Sequence, residues 1–118
     1  MLTLDKIYHA AFVLKNVARK TDLIRATKLS GECELYLKTE NLQETGSFKL
    51  RGAYYKISTM SEEERSRGLI TASAGNHAQG VAYAAQKFGC KATIVMPTVT
   101  PLIKEKLWSR SRASWRRL

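Results

Sequence analysis

The sequence predicts an α/β fold in which an incomplete parallel sheet is flanked by helices. Two short apolar runs, residues 69–72 and 92–96, are separated by a segment whose small and apolar residues recur at helical spacing. The second run is rich in β-branched residues, as in strands buried within parallel sheets. A strand, a helix and a second strand in this order predict a right-handed crossover. The length of 118 residues leaves room for one ordinary core.

The N-terminal half predicts two helices and one strand. Apolar residues recur every three or four positions from Leu4 to Ala18, which predicts an amphipathic helix. Residues 34–38 alternate between leucine and other side chains, which predicts a short strand that ends at Thr39. Residues 49–60 then predict a second helix.

In the C-terminal half, capping residues indicate where helices begin and end. Ser61 and Glu64 form a capping-box pattern, in which each side chain bonds a free backbone amide, so a short helix is expected to begin there. Gly89 suits the left-handed conformation that commonly follows a helix. Thr100 and Pro101 predict the start of one more helix, because a proline at the first helical position loses only an amide that has no partner. The basic residues that follow contain no glycine stop, and we expect no further strand after them.

Composition and charge exclude several classes of protein. The net charge is +10, and residues 104–118 hold half of this excess, with six basic residues against one acidic residue. The longest uncharged run, residues 68–86, contains polar side chains and three glycines, so we expect no membrane span. The N-terminus lacks a signal-peptide pattern, which predicts a cytoplasmic protein. Cys33 and Cys90 lack the spacing of a metal site or a disulfide framework, and we expect reduced, partly buried thiols.

The first candidate for chemistry is Lys49, which follows a glycine-containing turn and begins a predicted helix. A lysine amine is nucleophilic only when neutral, and a helix N-terminus near other cations favours the neutral form by lowering the pKa. This placement suits Schiff-base chemistry with a carbonyl compound. A solvated lysine in a first helical turn has the same spacing, so the pattern alone leaves both interpretations open.

The second candidate is the turn at residues 73–77, between a predicted strand and a predicted helix. Free amides at a helix start and the helix dipole bind anions, so this turn suits a carboxylate or a phosphate. Gly75 lets a ligand approach the backbone, and the Asn76 amide can both donate and accept, which suits a polar atom on a cofactor ring. An ordinary turn capped by Asn76, with His77 on the surface, fits the same residues.

Together these motifs resemble the pyridoxal-phosphate enzymes of the tryptophan-synthase-β fold type (fold type II), and among them the threonine ammonia-lyases. Residues 37–53 (LKTENLQETGSFKLRGA) resemble the cofactor-lysine segment of that family. Residues 73–82 (SAGNHAQGVA) resemble its substrate loop, at the expected distance along the chain. The resemblance runs from about Leu4 to Ile103. It implies the fold already predicted and a lyase of amino-acid metabolism.

The resemblance also implies a cofactor and a role for each motif residue. Lys49 would bind pyridoxal 5′-phosphate covalently and would remove the α-proton of the amino acid. Phe48 would lie near the cofactor ring, and Asn76 would hydrogen-bond to the ring 3-hydroxyl. The substrate carboxylate would be held by the loop residues Ser73, Ala74, Gly75 and His77. The implied reaction converts L-threonine to 2-oxobutanoate and ammonia by β-elimination, as in isoleucine biosynthesis.

A further implication is that the chain is an N-terminal fragment. The family continues with a glycine-rich phosphate loop that this chain lacks, so we expect no activity from the chain alone. Residues 1–48 would belong to the larger domain, residues 49–103 to a partial small α/β domain, and residues 104–118 to an aberrant basic tail. The abrupt change in composition at Glu105 is what a shifted reading frame would produce. We expect a homo-oligomer for the full-length parent.

One segment departs from the family pattern. In residues 20–23 (KTDL), Asp22 stands where the family usually has the proline of Thr-Pro-Leu.

Two alternatives stay open. A serine dehydratase or serine racemase would share the lysine and asparagine motifs. An alternative of another class is a nucleic-acid-binding module built on the cations and aromatic rings of the tail. Its residues would be Arg110, Arg112, Arg116, Arg117, Trp108 and Trp115. We do not expect a nucleic-acid partner, because charge in a tail without a matching groove is more often a solvated chain end.

Overall fold

The computed structural model describes residues 1–99 and 113–117, which form four α-helices and five strands in two sheets. The elements in chain order are α1 (Leu4–Leu14), β1 (Leu23–Arg25), β2 (Tyr36–Lys38), α2 (Lys49–Ser58), α3 (Glu62–Ser66), β3 (Leu69–Ala72), α4 (Asn76–Phe88), β4 (Ala92–Met96) and β5 (Ala113–Arg117). A single 3-10 turn, Glu40–Leu42, precedes α2.

A parallel sheet in the order β3-β4-β5 forms the centre of the C-terminal half. The helix α4 connects β3 to β4, which confirms the predicted strand–helix–strand unit and both strand ranges. Along β4, Ala92, Ile94 and Met96 are buried, whereas the two residues between them are half-buried. Burial on both faces explains why this strand reads as a continuous apolar run.

The core lies between the sheet and the helices α2 and α4. Small side chains on α4 allow α2 and the sheet to approach closely. One cluster of buried residues consists of Ala53, Ile57, Val81, Ala84, Ala85, Cys90 and Ala92. A second cluster consists of Ala78, Ala82, Ile94 and Met96. Because α2 packs on α4, the lysine at the start of α2 is held by the same core.

The capping box predicted at Ser61 and the glycine predicted to follow α4 are confirmed. The Ser61 hydroxyl accepts a hydrogen bond from the Glu64 amide at 3.1 Å, and the Ser61 amide donates to the Glu64 carboxylate at 2.7 Å. This reciprocal pair is the capping box that the sequence predicted at the start of α3. Gly89 follows α4 with φ of +66°, the left-handed conformation that glycine adopts at least cost.

The N-terminal part differs from the prediction in three respects. The first helix ends at Leu14 rather than at Ala18, and the strand predicted at residues 34–38 is limited to Tyr36–Lys38. It pairs antiparallel with β1, a strand that the sequence did not indicate. All residues of both strands are exposed, so no alternation between buried and exposed positions marks them. Periodicity in a sequence reveals an element only when one of its faces is buried. A short hairpin that is exposed on both faces has no such periodicity.

The strand β5 corrects the expectation that no strand follows residue 104. Residues 113–117 extend the parallel sheet by pairing with β4. Ala113 and Trp115 are half-buried and pack against the core, whereas Ser114 and Arg116 are exposed. This alternation is typical of a strand. The sequence analysis did not detect it, because arginine and serine dominate the composition of the segment. The helix predicted to begin at Thr100 and Pro101 lies outside the described residues.

Two further expectations concern thiols and membranes. Both cysteines are free thiols; Cys90 is buried, but Cys33 is exposed rather than partly buried. No group of three or more potential metal-ligating side chains occurs within the described ranges. None of the helices seen in those ranges is long and apolar enough to cross a bilayer.

Candidate functional site

Lys49 is the first residue of α2, as the sequence predicted. The chain enters the helix through Gly46, whose φ of +70° explains the glycine in this turn. Ser47 is buried and its hydroxyl accepts a hydrogen bond from the Lys49 amide at 3.4 Å. The Lys49 side chain is exposed, and its Nζ lies 4.9 Å from the centroid of the Phe48 ring. Phe48 is itself 58% exposed, so an amine and an aromatic face are presented side by side.

An ion pair fixes α2 two residues beyond the lysine. The Arg51 guanidinium donates to both oxygens of Glu40, each at 2.8 Å. Thr21 also donates to Glu40, at 2.6 Å. These contacts, with Arg51 first among them, lower the pKa of Glu40 to about 2. Such a bidentate pair restrains both partners in one orientation.

The same region contains a buried amide that the sequence analysis missed. The Gln43 side chain accepts from the Arg19 amide at 2.7 Å and donates to the Arg19 carbonyl at 3.0 Å. Gln43 and Thr21 are both buried. The segment 20–23, which departs from the usual family sequence, is therefore tied to the chain just before α2. No periodic pattern marks these residues, because their partners are distant in sequence.

The second predicted motif is the turn between β3 and α4. The Ser73 amide donates to the Val95 carbonyl at 2.9 Å, which continues the pairing of the sheet. The Ser73 hydroxyl accepts from the Gly75 amide at 3.2 Å. Gly75, not Asn76, is the N-cap of α4, and Asn76 is the first helical residue. Because the cap has no side chain, α4 begins without a side-chain cap, and first-turn amides have no partner within a helix.

The loop residues are divided between two cavities. Ser73 and Ala74 line one of about 480 Å³ at the carboxyl ends of β3 and β4. His77 lines another of about 320 Å³, together with Gly52 and Lys56 of α2. Asn76 and His77 are exposed, and Ala74 also packs against the second core cluster. The structure thus brings Ser73 and Ala74 to one cavity and His77 to its neighbour.

The two motifs meet at the contact between α2 and α4. A Cβ atom on Gly80 would lie 2.9 Å from the carbonyl oxygen of Lys49. Asn76 and Gly80 are four residues apart in one helix, so they occupy the same face. The start of α4 therefore lies about one helical turn from the Lys49 backbone. The segment that carries the amine and the turn predicted to bind an anion are thus joined through the contact of α2 with α4.

A protein-family model matches most of the chain. A family described as "Pyridoxal-phosphate dependent enzyme" matches residues 14–113. The L-threonine ammonia-lyase of Thermotoga maritima is 60% identical over 106 residues, covering 88% of this chain and 26% of that protein. The biosynthetic L-threonine dehydratase of Lactococcus lactis is 52% identical over 103 residues, covering 86% of this chain and 25% of that protein. The chain thus spans about a quarter of the length of these curated relatives.

The fold of the chain also superposes on solved structures of serine racemase and threonine deaminase. Serine racemase from Dictyostelium discoideum superposes with a TM-score of 0.91 at 36% identity, covering 98% of this chain and 38% of that chain. Threonine deaminase isoform 2 from Solanum lycopersicum, in its processed form, gives a TM-score of 0.80 at 41% identity, covering 98% of this chain and 34% of that chain.

Proposed function

The chain belongs to the family of pyridoxal-phosphate-dependent enzymes, and on this premise we propose that it supplies the cofactor lysine and the substrate-carboxylate turn of an L-threonine ammonia-lyase. The complete enzyme would convert L-threonine to 2-oxobutanoate and ammonia. The observation that carries this proposal is the contact of Gly80 with the Lys49 backbone, which brings the start of α4 within one helical turn of the lysine. The Thermotoga relative, named an L-threonine ammonia-lyase, supports the choice of threonine.

The described residues fit the reactive end of pyridoxal phosphate. An exposed primary amine suits its aldehyde, and the Phe48 ring beside that amine suits a flat heterocycle. The turn before α4 offers backbone amides to an anion and borders a cavity of about 480 Å³. When bound, pyridoxal phosphate withdraws electrons from the α-carbon of an amino acid and so acidifies its proton.

The chain's own residues would then perform three tasks. The Lys49 amine would hold the cofactor and later accept the α-proton at Nζ. The loop residues Ser73, Ala74, Gly75 and His77 would bind the substrate carboxylate and so fix the α-carbon near that amine. Phe48 would cover the ring and exclude water from one side of it, while Asn76 would hydrogen-bond to the ring hydroxyl. The resemblance to the family implies each of these roles, and the contact of Gly80 with the Lys49 backbone supports them.

Covalent trapping tests the role of Lys49. Incubation with pyridoxal phosphate followed by borohydride reduction should attach the cofactor to Lys49 in excess over Lys56, an exposed lysine of the same helix. Peptide mass spectrometry measures the ratio of the two adducts. Lys49→Ala should remove the preferred adduct, whereas the matched variant Lys56→Ala should retain it. Equal labelling of both lysines in the unsubstituted chain would contradict the proposal.

The chain alone is expected to be inactive, because it spans about a quarter of its relatives. We expect no cofactor absorbance after desalting and no 2-oxobutanoate from threonine. Turnover that disappears in Lys49→Ala would contradict this part of the proposal. Serine is the second candidate substrate, since the fold matches that of a serine racemase closely. Assays of the full-length parent with threonine and with serine distinguish the two.

The exposed apolar residues support a division of the chain between two domains of the parent. Ile24 and Leu37 are paired across the hairpin and remain 48% and 44% exposed. A two-stranded sheet is marginal by itself, so residues 1–48 are proposed to pack on the larger domain. Residues 49–103 would form the small domain. We assign residues 113–117 to the sheet of that domain, and not to the separate tail predicted for residues 104–118.

We also propose a pathway, a cellular location and an oligomeric state for the full-length parent. A biosynthetic relative supports a place in isoleucine synthesis. We further propose a cytoplasmic location and a homo-oligomer for the full-length parent. The alternative of a nucleic-acid-binding module is weakened, because Trp115 packs against the core cluster around Ile94 and is not presented for base stacking.

A further inference from the structure

Gly80 lies where α4 crosses the backbone of Lys49. A Cβ atom at this position would be 2.9 Å from the Lys49 carbonyl oxygen, 3.0 Å from its carbonyl carbon and 3.2 Å from the Leu50 amide nitrogen. Side-chain carbons do not approach backbone atoms this closely without displacement. The opposing atoms are main chain, so they cannot rotate aside as a flexible side chain would. Any larger residue at position 80 must separate α4 from the start of α2.

The glycine is not needed for the local conformation of α4. The positive-φ residues among those described are Gly46, Gly68 and Gly89, and Gly80 is not one of them. Within a helix, glycine is less favourable than alanine, because it loses more conformational freedom on folding. The close contact with Lys49 offsets this cost, because it allows the two helices to approach at that point.

We propose that Gly80 is a positioning residue that sets the distance between Lys49 and the turn that begins α4. This inference rests on the proposed role of Lys49. The start of α2 is also held by the fully buried Leu50 and by the ion pair of Arg51 with Glu40. A methyl group at position 80 would therefore push against a segment that is fixed elsewhere. The lysine would move relative to Asn76, which lies on the same face of α4 as Gly80.

The test compares two glycines in the trapping reaction with pyridoxal phosphate and borohydride. Gly80→Ala should lower the ratio of Lys49 adduct to Lys56 adduct by about tenfold, since small misplacements of a reacting group reduce rates strongly. The matched control is Gly31→Ala, because a Cβ on Gly31, in the loop between β1 and β2, would meet nothing within 4 Å. Its adduct ratio should equal that of the unsubstituted chain. Circular dichroism checks that each variant is folded during labelling.

Loss of structure would make the two exposed lysines of α2 equally reactive and would also lower the adduct ratio. The ratio therefore reports positioning only in variants that circular dichroism shows to be folded. If Gly80→Ala is partly unfolded, the labelling is repeated in trimethylamine N-oxide, which favours the folded state. An unchanged ratio in folded Gly80→Ala overturns the inference, as does an equal fall in Gly31→Ala. A variant that stays unfolded in the osmolyte also overturns it, since Gly80 would then serve the fold as a whole. Failure of the proposed function is distinct: the unsubstituted chain would show no preference for Lys49.

Discussion

Replacing Leu50 with alanine is expected to lower the free energy of unfolding by about 2–5 kcal/mol, the range for deleting a buried leucine side chain. Leu50 has no solvent exposure, and its amide nitrogen lies at the contact with Gly80. Alanine would leave a cavity between α2 and its neighbours, since surrounding side chains relax only in part. Urea denaturation followed by far-UV circular dichroism measures the change.

The matched control is Leu29→Ala, because Leu29 is 69% exposed in the turn that follows β1. Surface substitutions of this kind usually change the free energy of unfolding by less than about 0.5 kcal/mol. Equal effects at the two leucines would show that α2 is not anchored by Leu50. The support for Lys49 would then have to come from the ion pair alone.

Acidification is expected to remove about 1.5–3 kcal/mol of stability through Glu40, the range for hydrogen bonds to a charged group. The pKa of this carboxylate falls from 4.5 to about 2 in the folded chain, chiefly because Arg51 donates to it and secondarily because Thr21 does. The unfolded chain therefore binds the proton first as the pH falls. The stabilisation is present above pH 4.5 and is lost as the pH falls from there towards 2. Partial exposure of Arg51 to solvent limits the size of the effect.

Urea denaturation at a series of pH values measures this contribution. Glu40→Gln should flatten the dependence of unfolding free energy on pH below 4.5, because the titrating group is removed. Glu62→Gln, which changes an exposed carboxylate of α3, should leave that dependence unchanged. Identical acid profiles for Glu40→Gln and the unsubstituted chain would contradict the role of the ion pair.

The elements predicted correctly from the sequence are those whose signals are local. β3 and β4 are short apolar runs and α4 has apolar residues at helical spacing, and Gly68, Gly75 and Gly89 lie at the starts of β3 and α4 and at the end of α4. β1 could not be predicted, because its three exposed residues carry no periodic burial. β5 was missed for a different reason: arginine and serine dominate its composition, although Trp115 faces the core.

In the candidate site, too, the contiguous motifs were predicted and the contacts between distant residues were not. Lys49 at the start of a helix and the turn before α4 were predictable, since each is a short contiguous motif. The pairing of Glu40 with Arg51 and the contact of Gly80 with Lys49 join residues that are distant in the chain. A signal for Gly80 did exist: an isolated glycine inside a helical pattern often indicates close packing.

The two thiols differ in a way that makes the chain suitable for selective labelling. Cys33 is exposed, whereas Cys90 is buried just beyond α4, with its Sγ 3.7 Å from the Ala85 carbonyl oxygen. A maleimide dye should therefore attach to Cys33 first in the native chain. Cys90 would then react only as fast as the junction of α4 and β4 opens, so the rate of its modification reports the local dynamics of this region without any engineered residue.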